Sequence, residues 1–275
     1  MEATKGEDAP NAARVEQMDE ERRKFLEDVL KSLTVDTIEE FEKALETLQS
    51  DTSSDDDKIA SMESLKEFVD SIDNANNFVK IGGAKVLIAC LESNNANIKK
   101  QATSLIAELC QNNPFCQSEF GNEKVFRILM DILSDDIASS GAMHAISCIV
   151  RHHEPSLASF VEIGGLECLS ATISSNKEHI VFKTCFLISV LASEFSHIRD
   201  KLIETGGIGS LTSNLKADLD NPVKNEAILG ALLSLTRCPS GKSHLRKTNV
   251  ESILKQLIQA SKGKPEFQVG FCETI

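Results

Sequence analysis

The three residues of this chain best spaced for chemistry are His144, Cys148 and His152, which recur at steps of four and would share one helix face. Imidazole and thiolate are zinc ligands, so the row is tested first as a metal site. Its span counts against that, because eight residues of helix cover roughly 12 Å, too far for one ion without bending. No fourth ligand is evident in the sequence. Nucleophilic catalysis would need a serine or cysteine beside a histidine and an orienting acid. Serines are plentiful, yet there is no nucleophile-elbow pattern and no glycine-rich phosphate loop. The acidic run Ser50 to Asp57 (SDTSSDDD) lacks the glycine and distal glutamate of a calcium loop and reads as a solvated linker. No catalytic, metal or cofactor site is expected. The chain is expected to bind, not to catalyse.

The elements that would position such residues are clearest in Ile137 to Gly165. Taken as a helix, this stretch puts Ala138, Ala142, Ala145, Ile146 and Ile149 on one face and Ser140, His144, Ser147, Arg151 and Glu154 on the other. Pro155 then stops the helix, a short apolar segment follows, and Gly164-Gly165 turns the chain. The unit recurs. Gly82-Gly83, Gly164-Gly165 and Gly206-Gly207 follow FVKI, FVEI and LIET, and Gly121 takes the same place, at steps of 39, 43 and 42 residues. That period fits armadillo or HEAT units and exceeds the roughly 34 of tetratricopeptide repeats. Polar breaks at Asn94-Asn95, Asp135-Asp136, Ser174 to Asn176 and Asn221-Pro222 divide each unit into three helices, which favours armadillo. A fifth unit, NVESILKQLIQAS, keeps the phase without the glycines, as a terminal cap does. The expected fold is all-α, an armadillo-repeat right-handed superhelical solenoid over residues 58–275. Residues 18–57 form an acidic helical lead-in (helices at 19–33 and 36–49, the latter capped by Asp36) and linker. Residues 1–17 are expected to be disordered.

Charge bounds the partners. The net charge is −13, and residues 1–57 hold 18 acidic against 7 basic residues. A nearly neutral body behind an acidic head offers no basic stripe for nucleic acid. No apolar run approaches the roughly 18 residues of a membrane span, and no signal pattern is present. A soluble, cytoplasmic protein is expected. The eight cysteines include no Cys-x-x-Cys pair and sit at or beside apolar helix positions, as reduced thiols acting as small hydrophobes do.

In a right-handed armadillo stack the third helices line the concave side. Sliding the polar row of the 137–165 unit along the repeat gives four rungs: Lys100, Ser104, Ala107, Gln111; Ser140, His144, Ser147, Arg151; Phe182, Phe186, Ser189, Ser193; and Glu226, Gly230, Leu233, Arg237. Small and polar residues broken by two phenylalanines suit a protein-binding surface.

Asp73-Asn74-Ala75-Asn76-Asn77, Gln111-Asn112-Asn113, the run Ala145 to Arg151 and Leu229 to Leu235 resemble motifs of the cytosolic armadillo-type nucleotide exchange factors of the 70 kDa heat shock chaperones. The acidic lead-in around Asp19 to Leu33 and Phe271-Cys272-Glu273 are similar too, so the resemblance covers about residues 14–275. It implies that the concave surface grips one lobe of the chaperone's ATPase domain and opens the nucleotide cleft, releasing ADP. By match of motif, Ala75 and Arg151 would be contact residues. With the rungs, the expected partner-binding set is Ala75, Asn76, Lys100, Ser104, Gln111, His144, Ser147, Arg151, Phe186 and Arg237. A monomer before complex formation is expected. The sequence departs from the family upstream, where members often carry an apolar helical segment and this chain has about 17 polar residues. The competing function is a peptide-groove adaptor like the importins and catenins, whose grooves use ladders of Trp and Asn. This chain has no Trp, and Asn does not recur on the rungs.

Overall fold

The structure is a computed structural model that describes residues 37–216 and 222–261. The expectations for residues 1–17, the helix at 19–33, Asp36, Asn221 and Phe271-Cys272-Glu273 lie outside these residues. Among the described residues there are sixteen helices and no strand.

Two helices lead in, α1 (Thr37–Gln49) and α2 (Asp55–Phe68). The first unit is α3 (Ile72–Lys80), α4 (Gly83–Leu91) and α5 (Ala96–Cys110). The second is α6 (Pro114–Phe120), α7 (Glu123–Ile132) and α8 (Ser139–Val150). The third is α9 (Glu154–Glu162), α10 (Gly165–Thr172) and α11 (Glu178–Glu194). The fourth is α12 (Ser196–Glu204), α13 (Gly207–Asn214) and α14 (Pro222–Leu235), and α15 (Pro239–Arg246) and α16 (Val250–Ser261) close the described chain. Successive third helices (α2, α5, α8, α11, α14) form a continuous rank, with the most extensive contacts in the stack between α5 and α8 and between α11 and α14. One apolar core runs its length. Phe41 meets Phe78 edge-on at 5.4 Å and Phe126 meets Phe160 at 5.1 Å, all four fully buried.

The glycine pairs divide two tasks. Gly164 ends α9 at φ +86°, in the left-handed region that costs an L side chain but not glycine. Gly165 is buried at the start of α10, where a Cβ would stand 2.5 Å from the Phe160 ring. The first glycine turns the chain, and the second lets two helices close on an aromatic core.

Two expected boundaries are corrected. The acidic run is not all linker, because Asp55, Asp56 and Asp57 form the first turn of α2. Ser54 and Asp57 close a reciprocal capping box, and three carboxylates sit where the helix dipole favours negative charge. The helix of the 137–165 unit ends at Val150, well before Pro155, for a reason found in the first helix of the same unit.

The break at Asp135 holds three units together. Its carboxylate accepts from the backbone amides of Ile137 and Ala138 at 2.8 and 2.9 Å and pairs with Lys99 of the first unit at 2.9 Å. Lys177 of the third unit donates to the Asp135 carbonyl at 2.7 Å. The Ala138 amide, against the cost of burial and with Lys99 and Ile137 adding, lowers the Asp135 pKa to about 2. A carboxyl depressed in the folded state stabilises above its unfolded value, near 3.9, and that contribution is lost as pH falls from about 4 through about 2. Asp135→Asn keeps a capping oxygen but loses the charge. The variant is expected to be less stable than the parent at neutral pH by on the order of 1–2 kcal/mol. Melting curves at stepped pH should show the difference closing between about pH 4 and 2, and a constant gap across that window would refute the linkage.

Candidate functional site at the joint of the second and third units

The rank of third helices changes character between α8 and α11. Contact there is less extensive than between α5 and α8 or between α11 and α14. Polar bridges span it. Lys177 Nζ pairs with Asp136 at 2.9 Å, Lys183 Nζ donates to the Ser140 carbonyl at 3.1 Å, and His152 Nδ1 meets Glu194 Oε1 at 2.9 Å. The Arg151 guanidinium lies over the Phe186 ring, 5.5 Å from its centroid.

Arg151 owes its position to a corner, not to a helix face. It is the C-cap residue of α8 in an extended conformation (φ −70°, ψ 132°), and its amide still bonds to the Ser147 carbonyl at 3.1 Å. His152 follows at φ +56°, left-handed, and His153 caps α9 by accepting from the Ser156 amide. Gln111-Asn112-Asn113 makes the same turn one unit earlier, with Asn112 at φ +53° and Asn113 capping α6. Asparagine and histidine are among the residues most often tolerated there. A buried glutamine fixes the Arg151 corner from outside. Gln117 Nε2 donates to the carbonyls of both Cys148 and Arg151 at 2.8 Å, and the Gln117 carbonyl accepts from Ser156 Oγ at 2.9 Å. These bonds satisfy carbonyls that a longer α8 would have used itself, so the helix stops.

The corner breaks up the row of His144, Cys148 and His152. His152 stands beyond the end of α8, while Cys148 is buried and His144 is exposed. Burial raises the Cys148 thiol to about 11, and it raises Cys116 and Cys185 to about 12, so these are poor nucleophiles and ligands. Partial burial lowers His144, with Lys183 and Arg151 adding and Glu108 opposing.

The rungs are legible after one correction. Ala107 and Ser147 are buried, Ser189 and Leu233 half-buried. Each sits about 50° around the helix from the centre of its strip. The residue that keeps to the strip lies one turn earlier: Asn97, Ile137, His179 and Val223, all exposed. The exposed rows are therefore Asn97, Lys100, Ser104, Gln111; Ile137, Ser140, His144, Arg151; His179, Phe182, Phe186, Ser193; and Val223, Glu226, Gly230, Arg237, with the members ranging from half-buried to fully exposed. Spacing of three, four and seven, extended one turn toward the N-terminus, is the signal that would have found them.

Lys100, Gln111, His144, Phe186 and Arg237 are exposed on this face, and Ser104 and Arg151 are half-buried there. Ser147 is turned into the core. Ala75, expected as a contact by match of motif, is the fourth residue of α3 and only 3% exposed. Its small side chain serves helix packing. Asn76 beside it is half-buried, and its Oδ1 accepts from Asn113 Nδ2 at 3.0 Å.

Residues 74–200 match the family model of the SIL1/FES1/HPBP1 C-terminal domain, and residues 1–78 match that of nucleotide exchange factor Fes1. Hsp70-binding protein 1 of Macaca fascicularis is 26% identical over 297 aligned residues, covering 100% of this chain and 81% of the relative. The human protein of that name is 25% identical over the same extent. The Hsp70 nucleotide exchange factor FES1 of Eremothecium gossypii is 27% identical over 146 residues, about half of each chain. Among solved structures, a designed armadillo repeat protein in complex with the peptide (KR)4 superposes with a TM-score of 0.69 at 18% identity, covering 84% of this chain and 96% of its own. An engineered protein reaches 0.70 at 16% identity, covering 85% and 94%. At such identities the structures speak for the armadillo fold alone.

Proposed function

Because this chain belongs to the SIL1/FES1/HPBP1 family of nucleotide exchange factors, we propose that it is the exchange factor of a 70 kDa heat shock chaperone. It binds the chaperone's ATPase domain with the exposed rows of its third helices and promotes ADP release. The observation that carries this reading is the pair of family matches, which meet at residues 74–78 and together span residues 1–200. The factor contributes shape and charge, and the chaperone's own cleft does the rest. It works as a monomer in the cytosol, and Ala75 acts through the packing of α3 and not by direct contact.

The mechanism has a strict thermodynamic consequence. If the factor weakens ADP binding by some ratio, ADP must weaken factor binding by the same ratio. Stopped-flow release of a fluorescent ADP from the ATPase domain is therefore expected to accelerate with factor concentration. Titration calorimetry is expected to show the complex loosening as ADP is added. Tight binding that ignores nucleotide would leave a passive scaffold and refute the exchange function.

A further inference from the structure

Two unusual features coincide at the joint between α8 and α11. The first is apolar. Phe182 and Phe186, one turn apart on α11, are each 48% exposed, and Val223, in the next row on α14, is 60% exposed. Eight large hydrophobic side chains are exposed among the described residues, and four of them, these three and Ile137, lie in the exposed rows. The second is electrostatic. The chain as a whole carries −13, yet Lys183 and Arg151 both act on His144 at the edge of the phenylalanine shelf, and Lys100 stands on the neighbouring rung. The acid facing His144 is Glu108, while Glu194 is engaged by His152.

One atom within this cluster is unsatisfied. Arg151 Nε is buried and has no hydrogen-bond partner. A buried donor without an acceptor is costly, and guanidinium makes its strongest bonds to carboxylates. The guanidinium carbon lies 5.5 Å from the centroid of the Phe186 ring, which places the cation against the aromatic shelf it borders.

We propose that this patch, the Phe182–Phe186 shelf bordered by Lys183, Arg151 and His144, is a recognition subsite for an acidic residue set beside an apolar one on the partner protein. The inference rests on the reading of this face as the docking surface for the chaperone ATPase domain, and deepens it by naming the chemistry of the element that docks. The apolar side chain covers the phenylalanines and excludes water. The carboxylate then meets Arg151 and Lys183 in a setting where charge pairing is stronger than at an open surface. Basic segments are rejected by the same cations.

The test uses the full-length chain and the chaperone ATPase domain, with affinity measured across a series of ionic strengths. Phe182→Ser removes half of the shelf from an exposed position, and Lys183→Glu reverses the charge. Each is expected to weaken binding about tenfold or more, whereas Lys183→Arg is expected to stay within about threefold of the parent. Added salt is expected to weaken the parent and to strengthen Lys183→Glu relative to it. Melting temperatures identify any variant whose loss comes from unfolding, and Phe182→Ser stands if Lys183→Glu does not fold. A parent that fails to bind the ATPase domain would overturn the functional reading itself. A parent that binds, with Phe182→Ser and folded Lys183→Glu binding alike, would overturn only the subsite.

Discussion

Arg151→Ala is expected to weaken the complex with the chaperone ATPase domain by roughly 30-fold, the equivalent of about 2 kcal/mol for a central interface arginine. Acceleration of ADP release at limiting factor should fall in proportion. The stability cost is smaller and has a different source. Removing the guanidinium ends its stacking on Phe186, about 0.5–1 kcal/mol, but leaves the corner intact, because that corner is held through the backbone of Arg151. Its amide still bonds to Ser147 and its carbonyl still accepts from Gln117. Arg151→Lys keeps the charge but loses the planar stack, so an intermediate affinity is expected. Calorimetric affinity, stopped-flow ADP release and thermal melting on the same preparations separate the two roles. An alanine variant that binds like the parent, or one that loses binding only through early melting, would remove Arg151 from the interface.

Gln117→Leu is expected to be the most damaging single change to the joint, although Gln117 lies 34 residues from Arg151 and is only 2% exposed. Its side-chain amide satisfies two carbonyls at the end of α8, and leucine satisfies neither. Leaving buried acceptors unpaired costs about 1–3 kcal/mol each, so a loss of about 2–4 kcal/mol is expected. In a chain of this size that corresponds to a melting temperature lower by roughly 5–15 °C. A second effect should appear below the melting transition. With its carbonyl released, the Arg151 corner no longer holds the guanidinium over Phe186, and exchange activity should drop in protein that is still folded. Hydrogen exchange at residues 148–153 would report the loosened corner directly. Parent-like melting together with parent-like exchange rates would show that these bonds do not support the site.

The sequence by itself determined the repeat. Paired glycines at steps of about forty are readable because the left-handed turn at Gly164 and the crowding at Gly165 are local demands that almost no other residue meets. The helical period of the apolar residues, the polar breaks and the terminal unit without glycines are local as well, which is why an all-α stack of three-helix units was legible. The corners themselves were not legible: helical spacing carried the helix past Arg151 to Pro155, whereas it ends at Val150 with Arg151 extended. Tertiary structure alone decided what those corners do. The end of α8 depends on Gln117 reaching across from α6, and the posture of Arg151 depends on Phe186 of the next unit. Neither partner is near in sequence. On α5 and α8 one position of the strip lies deeper than helical spacing gave, for the same kind of reason. Helical periodicity separates an apolar from a polar face, but third helices packed on both flanks narrow the open arc, burying Ala107 and Ser147 and leaving Val223 in solvent. Which side chains a neighbour covers is set by how the repeats stack, and that depends on contacts about forty residues apart.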